Sequence, residues 1–167
     1  MLIVRARCAA PREHDAVLEL PFERRQQARL RTTAQDGEEI GLMLERGTTL
    51  RDGDLLQADD GRVVKVVAAP EPLLEITIRD AQQLARAAYH LGNRHASIEI
   101  GPDRLRCPSD TVLAGLLRGL GLEVTEIRAP FQPEPGAYAA GHHAHASNAR
   151  HAGVIHDFAV RGTSHER

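Results

Sequence analysis

From Met1 to about Glu71, apolar and polar positions alternate in short bursts separated by turn dipeptides, the period-two signature of half-buried strands. Leu2-Ile3-Val4-Arg5-Ala6-Arg7 opens the series and Ala16 to Leu20 follows. Ala28 to Thr33 then leads to Asp36-Gly37, a strong hairpin signal, with Glu39 to Leu44 as the returning strand. Leu55-Leu56, the turn Asp59-Asp60-Gly61 and the run Arg62 to Ala69 predict a second hairpin. No helix-length periodic segment interrupts this half, so it is expected to be a small all-β domain, either two packed sheets or a partly open barrel. Ala68-Ala69-Pro70-Glu71-Pro72 marks its end, because closely spaced prolines favour an extended linker.

The rhythm then changes. Leu74, Ile76 and Ile78 alternate with Glu75 and Thr77 as a strand, and Asp80 is placed to cap a helix in which Ala81, Leu84, Ala85, Ala88 and Leu91 recur at helical spacing. Gly92-Asn93 tolerates a left-handed backbone and predicts the helix end. Ser97 to Ile100 and Arg104 to Cys107 read as strands around the turn Gly101-Pro102-Asp103. Pro108-Ser109-Asp110 opens a second helix with Val112, Leu113, Leu116, Leu117 and Leu120 as its apolar face, closed by Gly119 and Gly121. A last strand starts at Leu122, and Ile127 falls out of phase, marking a bulge or the strand's end. The order β-α-β-β-α-β is the ferredoxin-like arrangement, and the whole chain reads as α+β. Three parts are expected: residues 1–71, residues 72–132, and a proline-led, disordered tail at 133–167.

Composition narrows the function classes. A formal net charge of -2 lacks the electrostatic footprint of a nucleic-acid binder, and 3% aromatic residues without Trp leave few stacking platforms for single strands. Leu2-Ile3-Val4 before Arg5 is too short for a signal-peptide core and no apolar run approaches a membrane span, so a cytoplasmic, membrane-free protein is expected. Cys8 and Cys107 form no CxxC and read as packed or half-exposed strand residues, with a disulfide between them left open. Asp52, Asp54, Asp59 and Asp60 fit turn chemistry rather than an oxygen-ligand metal loop, since the closing Glu of an EF-hand is absent.

Candidate chemistry lies in the histidines, nine against two cysteines. His90 falls in the last turn of the first long helix and His95 beyond it, in Tyr89-His90-Leu91-Gly92-Asn93-Arg94-His95. At about 100° per residue, two positions five apart on an unbroken helix diverge by about 140°, so the pair cannot chelate one ion. A metal at His95 therefore needs ligands from another segment or from the same residue of a two-fold related subunit. Taken alone the pair is ordinary polar residues at a helix end, with His90 aided by the helix dipole. The far end of the chain shifts the balance: Gly141-His142-His143-Ala144-His145 is followed by His151, His156 and His165, a tract of metal-binding composition interrupted in a way a purification tag is not. Imidazoles without thiolate suit Ni, Cu, Zn and Co, and Cu(II) is expected to bind at least as tightly as Ni(II) in vitro. Mobile ligands that reach His95 at high effective concentration can also be exchanged stepwise, which is how a carrier behaves.

The β-rich first domain, the ferredoxin-like domain with His90-Leu91-Gly92-Asn93-Arg94-His95, and Ala129-Pro130-Phe131 through Pro133-Glu134 and Gly136-Ala137-Tyr138 before a histidine tail together resemble the urease accessory nickel chaperones, the UreE family. The resemblance covers essentially the whole chain. It implies a homodimer joined through the second domain, with His95 of both subunits binding one Ni(II). His142, His143 and His145 would complete or supplement the site, and His90 matches the motif without having to be a ligand. It further implies a urease accessory GTPase and the apo-urease accessory complex as partners, and an amino-terminal domain that resembles peptide-binding modules. Two departures stand out: Gln132 occupies a place where an acidic residue is expected, a change of local charge, and the tail lacks a long polyhistidine run, which argues against bulk storage and not against delivery. Two other classes compete. A metallohydrolase would need an open coordination position and a general base, yet there is no HExxH and the carboxylate nearest His95 in sequence is Glu99. An interaction module with incidental metal binding would use the β domain and Arg94 as contact surfaces.

Overall fold

The structure, a computed structural model, describes residues 1–135, so the predicted tail from Gly136 onward, with His142, His143 and His145, lies outside the described residues. Ten strands and three helices follow in the order β1 (Leu2–Arg7), β2 (Ala16–Leu20), α1 (Phe22–Arg25), β3 (Arg29–Thr33), β4 (Glu39–Met43), β5 (Leu55–Ala58), β6 (Val63–Ala68), β7 (Glu71–Thr77), α2 (Ala81–Gly92), β8 (Glu99–Ile100), β9 (Arg104–Pro108), α3 (Thr111–Gly119) and β10 (Glu123–Ala129). Among the described residues no helix is long and apolar enough to cross a membrane.

The first six strands form one sheet ordered β2-β6-β5-β1-β4-β3. Both predicted hairpins are present as the antiparallel pairs β3/β4 and β5/β6. Strand β1 joins them, parallel to β4 and antiparallel to β5, and β2 adds in parallel to the outer side of β6. The sheet rolls until its edges approach: the amide of Gln35, in the β3–β4 turn, donates to the Val17 carbonyl of β2 at 2.9 Å, and the Gln35 side chain donates to Glu19 at 2.9 Å. Of the two arrangements the pattern left open, this is the partly open barrel. Leu2, Val4, Leu18, Ile40, Leu42, Leu56, Val64 and Val66 line its core. Turn chemistry accounts for two of the loop aspartates, since Asp54 and Asp60 accept from the backbone amides of Arg51 and Arg62, while Asp52 accepts from the distant Ala68 amide and Asp59 pairs with Arg5 at 3.0 Å. The short helix α1 was not predicted, four residues being too few to show a period.

The second sheet is ordered β10-β7-β9-β8, every neighbouring pair antiparallel, which is the ferredoxin-like topology. Leu74, Ile76, Leu105 and Cys107 of the sheet pack against Ala87 and Leu91 of α2 and Ala114 and Leu117 of α3, so both helices cover one face. The alternate positions carry Glu75, Glu99 and Arg106, which pair at 2.8 and 3.1 Å on the other face. Strand β10 holds continuous register with β7 through Ala129, so no bulge occurs at Ile127. Cys8 sits just past β1 and is half-buried, Cys107 is buried in β9, and both thiols are free.

Candidate metal centre

Helix α2 starts where Asp80 accepts from the Gln83 amide at 2.7 Å, and the Gln83 side chain in turn accepts from the Arg79 amide at 3.0 Å. Its buried residues are Ala87 and Leu91. Of the apolar positions predicted to recur along the helix, Ala81, Leu84 and Ala85 are exposed, Ala88 is half-buried and Leu91 is buried, while Tyr89 is 65% exposed. His90 is half-buried in the last turn, with its ring edge-on to Tyr89 at 5.2 Å, and its carbonyl accepts from the Arg94 guanidinium at 3.1 Å.

The end of α2 differs from expectation in one respect that matters for the site. Gly92 stays helical and Asn93 is right-handed; the left-handed residue is His95, at φ 53°, the one non-glycine with positive φ among the described residues. The His95 amide donates to the Gly92 carbonyl at 2.9 Å and the Ala96 amide to the Leu91 carbonyl at 3.2 Å, the two bonds of a Schellman cap with His95 at its left-handed position. Helix α3 closes with the same pair of bonds, Gly121 to Arg118 and Leu122 to Leu117, and there the left-handed residue is glycine at φ 79°. A histidine thus occupies in α2 the position that α3 gives to glycine. The cap leaves the His95 imidazole exposed at the surface, and Ala96 behind it packs on the second core.

His90 and His95 both stand at the end of α2. Among the described residues no three His, Cys, Asp or Glu side chains group as a metal site. Past β10 the chain returns to this region: the Gln132 amide donates to Glu99 at 2.6 Å, and the Glu134 amide donates to the Ile98 carbonyl at 2.8 Å, three residues from His95. The Gln132 side chain accepts from the Asp52 amide at 2.9 Å, so this position bonds the first domain as well as altering local charge. Sequence reading missed Arg25, which is 1% exposed and donates to the carbonyls of Leu20 and Leu50, each at 3.2 Å, and of Phe131. Nothing in the run Pro21-Phe22-Glu23-Arg24-Arg25 distinguishes it from a surface arginine, because its partners are backbone groups distant in sequence.

Comparison with known proteins bears on both halves. Residues 3–69 match the family profile described as UreE urease accessory protein, N-terminal domain, and residues 71–159 match its C-terminal domain. A protein of Azotobacter vinelandii named Urease accessory protein UreE is 51% identical over 165 residues, covering 96% of this chain and 99% of its own. A protein of the same name from Ectopseudomonas mendocina is 48% identical with the same coverage, and one from Alkalilimnicola ehrlichii is 53% identical over 138 residues, 83% of this chain and 85% of its own.

Proposed function

The chain belongs to the UreE family of urease accessory proteins, a family of accessory chaperones and not of enzymes, and from this premise we propose that it carries Ni(II) to apo-urease. In this reading residues 1–71 dock partners, residues 72–132 bind metal and form a homodimer, and residues 133–167 bring the tail histidines. His95 from each subunit holds one Ni(II) between them, His142, His143 and His145 complete or supplement the site, and His90 stands beside it without a required ligating role. Ni(II) is the cargo, passed to the urease accessory GTPase and the apo-urease complex in the cytoplasm; Zn(II) and Cu(II) compete for the same imidazoles in vitro.

One observation carries the reading: an exposed imidazole occupies a left-handed cap that favours glycine. A fold that needed only to end the helix gains nothing from histidine there. The path of the chain supports it further, because Glu134 is anchored beside Ile98 and His142 follows eight residues later. At about 3.4 Å per extended residue that run spans up to about 27 Å, whereas His95 is only three residues from Ile98, so the tail imidazoles can reach His95.

The test is native mass spectrometry of metal-free protein titrated with Ni(II), beside His95→Ala and a chain ending at Tyr138. The expected result is a dimer whose first ion is lost with His95→Ala and whose further ions are lost with the truncation. A first ion that survives His95→Ala puts the site in the tail and overturns the shared-site reading.

A further inference from the structure

Residues of both domains enclose a groove of about 840 Å³, a volume in the range that holds a small ligand or a short peptide segment. One wall is the β4–β5 loop; the other is residues 132–135, which follow β10, together with Ser97, two residues from His95. Phe22 and Leu50 add apolar surface.

The loop wall is held in place by its own backbone. The Thr48 amide donates to the Glu45 carbonyl at 3.1 Å, the Leu50 amide to the Arg25 carbonyl at 2.8 Å, and the Arg51 amide to the Asp54 carboxylate at 2.8 Å. Arg7 ties the Thr49 carbonyl from outside at 2.6 Å. These bonds leave the Arg46 and Arg51 guanidiniums exposed, with no hydrogen-bond or ion-pair partner among the described residues. Arg25 also lines the groove; it is 1% exposed and gives its three donors to neutral carbonyls, so no carboxylate touches its charge. Of the carboxylates that line the groove, Asp54 pairs with Arg7 at 3.0 Å and Glu45 is engaged, which leaves Glu134 against three arginines. A cleft with one sign of charge in excess concentrates ligands of the other sign.

The opposite wall limits how a ligand can be held. The Gln132 and Glu134 amides are spent on Glu99 and Ile98, and the residues that alternate with them, Pro133 and Pro135, have no N–H. This wall therefore offers no row of donors for strand pairing, and recognition falls to the arginines and the apolar surface.

We propose that this groove docks an extended acidic segment of the protein that receives the cargo, its carboxylates on Arg46 and Arg51 and its apolar side chains on Phe22 and Leu50. A single inorganic anion fills only a small part of such a volume and leaves the apolar surface unused. The inference deepens the reading in which residues 1–71 dock partners: it names the partner's chemistry, and Ser97 sets the docked segment beside the His95 turn. Because the loop is already ordered by its own bonds, little is lost in arranging the arginines on binding.

Fluorescence anisotropy tests this, with the full-length, metal-free chain titrated into a labelled peptide, Glu-Asp-Leu-Glu-Asp-Leu-Gly, at low ionic strength. A second probe carries Lys at each acidic place. The acidic probe is expected to bind in the micromolar range and the lysine probe not to bind. Arg46→Glu combined with Arg51→Glu is expected to weaken the acidic probe by about tenfold or more, with an unchanged circular dichroism spectrum because both side chains are exposed. Arg29→Glu, exposed on β3 and outside the groove, is expected to leave binding as it was. No binding of the acidic probe, equal binding of both probes, or equal weakening by Arg29→Glu overturns the proposal. So does inorganic phosphate that displaces the probe as well, mole for mole, as unlabelled peptide, which makes the groove a small-anion site. A chain ending at Pro135 that binds the probe when the full-length chain does not gives the groove to residues 136–167 and overturns the partner reading. Metal takes no part in the titration, so the two readings fail separately. Loss of probe binding with Ni(II) stoichiometry intact removes the groove alone, whereas probe binding kept in a His95→Ala chain that has lost its first ion supports the groove.

Discussion

At the scale of a residue, His95 sets fold and function against each other. A non-glycine residue at φ 53° carries a backbone cost that glycine does not, of about 1 kcal/mol. The α3 cap solves the same geometric problem with Gly121. His95→Gly is therefore expected to stabilise the protein by about 0.5–1 kcal/mol, read as a melting temperature higher by about 2–4 °C, while removing the first Ni(II). These changes have opposite signs, so the variant separates loss of a ligand from damage to the fold, which His95→Ala does less cleanly. A lower melting temperature would mean that the imidazole contributes to the structure and that its conformation is no sacrifice.

At the scale of elements, the outward stripe of α2 is the feature with the clearest consequence. Ala81, Ala85 and Tyr89 stand exposed along one side of α2, the helix that leads to His95. If two subunits share an ion at His95, this stripe lies where they meet. Tyr89→Glu is expected to shift the protein from dimer to monomer in size-exclusion chromatography with an unchanged circular dichroism spectrum; a dimer that persists would place the interface elsewhere. The helix itself was legible from Asp80 and its apolar recurrence, but its inward side was not. Its alanines and leucines form more than one apolar stripe, and only the packing of Ala87 and Leu91 on the sheet chooses between them. Val112, counted into the apolar face of α3, is 72% exposed for the same reason. Strand sequence and both hairpins were readable because alternation and turn residues are local signals. The pairings β1/β4 and β2/β6 were not, since alternation fixes which face a residue takes and not which strand lies beside it. At the site, His95 was readable as a residue type in a motif, whereas its left-handed conformation and the Arg25–Phe131 contact depend on bonds that close only in three dimensions.

At the scale of the whole molecule, two cores are joined by very little chain. Ala69 and Pro70 alone separate β6 from β7, the Phe22 amide donates to Glu71 at 2.9 Å, and residues 130–135 form a strap bonded to both domains, whose Phe131 is fully buried yet belongs to neither core cluster. Truncating such a ring costs about 3–5 kcal/mol, and where that cost falls tells whether the cores are coupled. Cys107 is the natural reporter, being buried in the second core with its thiol pushed by desolvation from 9.0 up to about 11, Asp110 adding to the shift. Labelling requires thiolate, so at pH 8 native Cys107 reacts only when the second core opens, while half-buried Cys8 reacts first. The sign with pH follows directly: the unfolded chain gives up this proton near 9 and the folded chain near 11, so stability is expected to fall as pH climbs between those values. Phe131→Ala is expected to lower the urea midpoint and to speed Cys107 labelling at pH 8 together. If the midpoint falls while Cys107 labels at the native rate, the loss is confined to the first sheet and the strap does not couple the cores. A joint shift means that the burial of Phe131 makes the two domains one cooperative unit, so that loosening residues 130–135 carries a cost in stability.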